Sequence, residues 1–299
     1  MIAAMETAHV FGRHENLFGI HTDPLAISKT NKNTSRCETA VIMLTAGMLT
    51  NVGPSRLYVS LAADLAEQGI GSFRFDLSGI GESLPVAGQG ASVVRAIGEV
   101  KQAMDFLQRE HDYSQFMLFG LCSGADDAIA TALQDDRIVA VCSMDGCGYR
   151  TQKYALYAAW RKYLPKVISP LKWIQLGKKW FLKEPIQGSS MPLGSDIREF
   201  PGCEQAEQEI RSLADRGVQL LFLYTGGVID YYSYERQFYD MFPLLQGRNE
   251  IKVEYHPRWD HVAFLEEDRM QLVDRVKNWL VDMEQQSSDS QVKDCQVAV

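Results

Sequence analysis

The stretch FMLFGLCSGADDAIA at 116–130 narrows what this 299-residue chain can fold into more than any other. Phe116 to Phe119 read as a short buried strand, and 126–133 reads as the helix that follows. Between them lies Gly120-Leu121-Cys122-Ser123-Gly124. A sharp strand-to-helix turn lifts one side chain clear of the backbone and needs small residues two positions before and two after it. Cys122 has glycine at both places, whereas Ser123 would need Leu121 at one of them. The register therefore selects Cys122 as a nucleophile. A cysteine that only fills a core has no use for flanking glycines.

The other elements agree with such a turn. Two short patches around 8–11 and 17–20 suggest an opening hairpin. Buried strands are predicted at 40–45, 72–75, 138–144, 218–224 and 251–255. Pro54 opens a helix with Leu57, Leu61 and Leu65 at helical spacing. A second helix at 92–108 places Val93, Ile97, Val100, Met104 and Leu107 on one face, and a last one runs from about 264 to 283. Strands alternating with amphipathic helices imply an α/β fold, a mostly parallel central sheet covered on both faces. In such sheets the reactive groups gather at the carboxyl ends of the strands.

A cysteine nucleophile needs a base, an acid to orient the base, and donors for an oxyanion. His261, in the loop HPRWDHVAF between the last strand and the last helix, lies at the carboxyl edge. His256 is the runner-up, and His9, His14, His21 and His111 fall in the hairpin region or ahead of a strand, at the other end. For the acid, Asp230 follows the strand VQLLFLYT and gives the chain order nucleophile, acid, base. Asp145, after the preceding strand, is the alternative acid, and Asp260 is a weaker one beside His261. The backbone NH of Ser123 is one oxyanion donor, and the Ala46-Gly47-Met48 turn should supply the second through Met48.

These residues together resemble the α/β-hydrolase superfamily over nearly the whole chain. The run GPSRLYVSLAADLAEQGIGSFRFDLSGIGES, the GLCSGA elbow and the WDHVAF loop more closely resemble hydrolases associated with exosortase and exopolysaccharide gene clusters, which also carry cysteine in the elbow. The resemblance implies an α/β-hydrolase fold with a helical cap inserted before the late strands. It places the core at 1–149 and 203–284 and the cap at 150–202, while the polar composition of 285–299 suggests a disordered tail. Two departures from the superfamily stand out: cysteine replaces the usual serine, and Thr45-Ala46-Gly47 lacks the common His-Gly of the oxyanion loop.

The thiol nucleophile bears on the substrate. Attack on an oxygen ester raises the energy of the acyl-enzyme, while attack on a thioester is nearly balanced, so Cys122 suits acyl exchange from thioesters. Residues 150–183 carry nine basic and no acidic side chains in a chain of net charge −8. Arg161, Lys162, Lys166, Lys178 and Lys179 are candidate docking positions for an acidic acyl carrier protein or coenzyme A. The aromatics among them, such as Trp160 and Trp173, leave contact with an anionic membrane surface as a lesser alternative. The overall charge argues against nucleic acid as partner. Six scattered cysteines without CxxC pairs indicate neither a zinc site nor a disulfide framework, and neither a metal nor a cofactor is expected. No apolar run approaches the length of a membrane span and no signal peptide is evident, so a cytoplasmic location is expected. The alternative functions are an ester or lactone hydrolase, and a binding protein that keeps the fold.

Overall fold

The computed structural model describes residues 4–25, 38–86, 91–154, 156–157 and 200–297, with side chains as far as 284. Among these, eight strands form one sheet in the order β1-β2-β4-β3-β5-β6-β7-β8. They are β1 (Glu6–Phe11), β2 (Leu17–Thr22), β3 (Thr39–Leu44), β4 (Gly71–Phe75), β5 (Gln115–Leu121), β6 (Ile138–Met144), β7 (Gln219–Thr225) and β8 (Ile251–His256). The β1–β2 hairpin is antiparallel and joins β4 antiparallel, while β4 through β8 pair in parallel. The expected α/β-hydrolase architecture is thus present.

Alternation along the strands builds two cores. Ile42, Leu44, Phe116 and Leu118 point to the face covered by α2 (Ser92–His111), α3 (Ser123–Ala132) and α4 (Cys203–Asp215). Val41, Met43, Met117 and Phe119 point to the other, covered by α1 (Leu57–Glu67) and the final helix. Burial on both faces is why β3 and β5 read as unbroken apolar runs rather than alternating ones.

Three sequence expectations shift. Helix α4 and the short α5 (Gln237–Met241) lie in stretches with no assigned helix, although Ala206, Ile210, Leu213 and Ala214 recur at the spacing of a buried helical face. Val93, placed on the buried face of α2, is 37% exposed because it sits in the first turn, beyond the sheet. The last helix, α6 (Glu266–Val297), continues past Met283 through the polar tail expected to be disordered.

The Asp76 to Ser83 segment folds around a buried carboxylate. Asp76 accepts from the Asn51 amide (2.6 Å), Asn51 Nδ2 (2.8 Å) and the Glu82 amide (3.1 Å). Arg74 donates to Asn51 Oδ1 at 2.7 Å. Ser83 donates to the Asp76 carbonyl at 2.6 Å and accepts from the Phe18 amide at 2.8 Å. The Gly79–Gly81 pair is therefore a turn clasped to the loops after β3 and β4. Among the described residues, no helix is long and apolar enough to cross a membrane.

Candidate active site

The elbow is built as its glycines require. A Cβ on Gly120 would stand 2.2 Å from the Gly124 carbonyl oxygen, and one on Gly124 would stand 2.6 Å from that of Leu44. Only hydrogen fits at either place, so β3, β5 and α3 close up beneath the turn. Cys122 takes φ 57°, ψ −120°, a conformation that costs a non-glycine residue about 1–3 kcal/mol. The Cys122 amide donates to the Met144 carbonyl at 2.8 Å, which ties the elbow to β6.

His261 reaches the cysteine from the loop after β8 and hydrogen-bonds to it. That approach depends on Gly226 and Gly227 at the end of β7. A Cβ on Gly226 would lie 2.2 Å from the Pro257 carbonyl oxygen, and one on Gly227 would lie 2.4 Å from the His261 amide. The Gly226 amide also donates to the Trp259 carbonyl at 2.9 Å.

The carboxylate behind His261 belongs to Asp145, at 2.8 Å from Nδ1. Asp145 is fully buried, and its two oxygens also accept the Thr225 amide and hydroxyl, each at 2.7 Å. Asp230, the acid the sequence leads one to expect, is exposed, and its carbonyl receives Arg150 Nε at 2.7 Å and the Tyr154 hydroxyl at 2.8 Å. The correction has a physical cause. Beyond β7 the chain makes a 3-10 turn at Gly226–Val228, which carries Asp230 past the sheet edge. Asp145 instead follows β6 directly, and β6 lies between β5 and β7. A threonine ending the neighbouring strand, ready to fix a carboxylate, was the available signal.

The other sequence candidates are occupied elsewhere. His256 bonds Glu254 at 3.1 Å and stacks on Trp259 with centroids 3.7 Å apart. Asp260 accepts the amides of Val262 (2.8 Å) and Phe264 (3.0 Å), closing the histidine loop on itself. Arg161, Lys162, Lys166, Lys178 and Lys179 lie outside the described residues.

Electrostatics favour a charged imidazole. Burial opposes the imidazolium, but its hydrogen bonds to Asp145 and Cys122 outweigh it, and the His261 pKa is pushed up to about 10. The sign follows: a raised value stabilises the fold fully below the ordinary histidine range and ceases to do so as pH climbs through about 10.

Ser123, at the first position of α3, has an amide free of intrahelical partners, as helix starts require. Its hydroxyl does something the sequence did not suggest: Oγ accepts the Gly47 amide at 2.8 Å and holds the turn after β3 against the elbow. Within that turn the Leu49 amide donates to the Ala46 carbonyl at 2.9 Å, while the Met48 side chain is 92% exposed. The Gly47 amide is thus engaged by Ser123, and the amide of Met48, the donor expected from the sequence, follows it in the same turn. Ser123→Ala should cost about 1 kcal/mol of transition-state stabilisation, roughly a fivefold fall in kcat. KM should hold and Ser123→Thr should restore the rate, as steady-state kinetics would show.

A family model described as "Serine aminopeptidase, S33" matches residues 37–188, just over half of the chain. The chain belongs to this family of hydrolases. Its match runs through the elbow, and the cysteine at that place sets this member apart from the serine of the family's description. No curated protein sequence matches the chain. Among solved structures, a putative α/β hydrolase of unknown function from Agrobacterium tumefaciens superposes with a TM-score of 0.55 at 14% identity, covering 92% of this chain and 94% of that one. An esterase from Pyrococcus furiosus gives 0.55 at 15% identity, with 94% and 92% covered. A proline iminopeptidase from Mycobacterium smegmatis gives 0.52 at 14%, with 95% and 100% covered. At such identities the likeness concerns the fold, and the α/β-hydrolase class of this enzyme rests on it together with the family match.

Proposed function

We propose that this hydrolase transfers acyl groups through a covalent intermediate on Cys122, taking them from acyl or aminoacyl thioesters carried by coenzyme A or an acidic carrier protein. The observation that carries the proposal is the hydrogen-bonded series Cys122, His261, Asp145, with a thiol at the elbow of an enzyme family described by its serine.

The steps balance as follows. Cys122 Sγ, its proton held by His261, attacks the acyl carbon. The carbonyl π electrons move onto oxygen, which the Ser123 amide and an amide of the 46–48 turn receive. Collapse of this tetrahedral species breaks the bond to the leaving thiolate, and His261 returns the proton to that sulfur. Water or another nucleophile then gives a proton to His261 and attacks the thioester on Cys122, and collapse releases the product and the thiol. Asp145 keeps the imidazole in the tautomer that presents Nε2 to the sulfur. The resemblance of the elbow and histidine loop to exosortase-associated hydrolases is consistent with a thiol nucleophile, and the basic stretch at 150–183 would draw a phosphate-bearing or acidic donor toward it.

The test is intact-protein mass spectrometry after incubation with a panel of acyl-coenzyme A and acyl-carrier thioesters and matched oxygen esters. A mass increment that maps to Cys122, formed faster from thioesters and absent in Cys122→Ala, is the expected outcome. Faster turnover of oxygen esters would make the protein an ester hydrolase like its Pyrococcus neighbour. No loading by any donor, with a thiol inert to iodoacetamide near neutral pH, would favour a binding protein.

A further inference from the structure

At the opposite edge of the sheet from Cys122, three elements bring imidazoles and a carboxylate together. Strand β2 runs antiparallel to β4, with His21 facing Phe73 and Thr22 facing Ser72, so its end lies at the amino edge of the parallel strands. Asp23 follows it, and His111 arrives as the last residue of α2, which leads into β5. His21 is fully buried and the Asp23 side chain is 29% exposed, so the cluster opens to solvent on one side.

The arrangement is more specific than proximity. One ligand atom from each of His21, Asp23 and His111 lies within 4.8 Å of the others. His21 Nε2 is held by the buried Tyr113 hydroxyl at 3.2 Å, the kind of outer contact that fixes a ligating imidazole, and Nδ1 faces Asp23 Oδ1. Their separation of 3.5 Å is long for a hydrogen bond. It is close to the edge of about 3.4 Å between two ligands each about 2.1 Å from a tetrahedral zinc ion. His111 lies beside His21 with ring centroids 3.8 Å apart and ring planes tilted by 36°, at the carbonyl end of a 20-residue helix, where the dipole favours a cation. His9 of β1 packs edge-on against His111 at 5.5 Å, and its buried Nε2 has no hydrogen-bond partner among the described residues.

We propose that His21, Asp23 and His111 form a binding site for a divalent transition-metal ion, zinc above all, which pins the β1–β2 hairpin to the end of α2. Two imidazoles and one carboxylate suit zinc better than the hard, all-oxygen cations. A fourth position remains for water. The site is remote from the nucleophile, so its role is to hold the sheet edge, independent of acyl transfer.

The test uses tag-free, chelator-treated full-length protein carrying Cys122→Ala, so that the active-site thiol cannot supply the ligand. Zinc is titrated against a chromophoric chelator, and cobalt(II) is added separately as a spectroscopic probe. One equivalent should bind, with cobalt bands of nitrogen and oxygen ligation and no thiolate charge-transfer band. Affinity should fall at least tenfold in Asp23→Asn and in His111→Ala, and zinc should raise the melting temperature of the parent but not of these variants. Asp23 is partly exposed, so Asp23→Asn preserves the fold, and circular dichroism checks this for both. Absence of stoichiometric binding, a thiolate band, or affinity unchanged in both variants would overturn the proposal.

Discussion

Asp145→Asn lowers kcat on a thioester substrate by about three to four orders of magnitude, the scale seen when the acid of a triad loses its charge while keeping its shape. The expectation rests on where Asp145 sits. Its carboxylate is fully buried, accepts the Thr225 amide and hydroxyl, and receives His261 Nδ1 at 2.8 Å. An asparagine there would present an amide NH2 to one of these donors, and the imidazole would turn its other tautomer toward Cys122. Asp230→Asn should leave kcat within about twofold, since an exposed carboxylate away from the reacting atoms is worth little. Steady-state kinetics on the pair of variants, with melting curves to confirm folding, checks the contrast. A large loss in Asp230→Asn with none in Asp145→Asn would return the role to Asp230.

His261→Ala should collapse the reactivity of Cys122 at pH 6–7 by about two orders of magnitude. An unassisted thiol with an ordinary pKa of about 8.5 is only about 1–3% thiolate near pH 7. Beside an imidazole whose pKa is pushed up to about 10, the charged pair is favoured and the thiolate persists to lower pH. The helix that starts at Ser123 adds its positive end to the same sulfur. Iodoacetamide alkylation of Cys122 should therefore stay fast in the wild type well below the ordinary thiol range. In His261→Ala it should follow a single rise near or above that range. Rates measured from pH 5 to 10 by peptide mass spectrometry test this, and identical profiles would mean that the histidine does not activate the thiol.

Much of the fold was legible because it depends on short-range pattern. Strands β3 to β8 fall where apolar runs stand between turn residues, and α1 and α2 where leucines and valines recur at helical spacing. Helix α4 has the same periodicity but small residues, Ala206 and Ala214, on its buried face, so its hydrophobic stripe is faint. The polar end of α6 carries no apolar repeat, and composition alone pointed to disorder there. The placement of Cys122 and His261 was legible for a related reason: each is fixed by its own loop, Cys122 by flanking glycines and His261 by its place after the last strand.

The sequence by itself determined the α/β layering, the elbow and its thiol, and the histidine that faces it, because local sterics and periodicity specify these. Only the tertiary structure decided which carboxylate meets His261, that Ser123 clamps the Gly47 turn, and that His21, Asp23 and His111 meet at the far edge. Each of those depends on strand order and register, which place residues 116, 76 and up to 90 positions apart within a few ångströms. Asp145 and Asp230 both follow strands, and nothing within either loop records that β6 lies between β5 and β7. Side-chain pairing across a sheet is a property of the assembled strands, so the choice between the two carboxylates is made when β6 and β7 come together and Thr225 closes on Asp145.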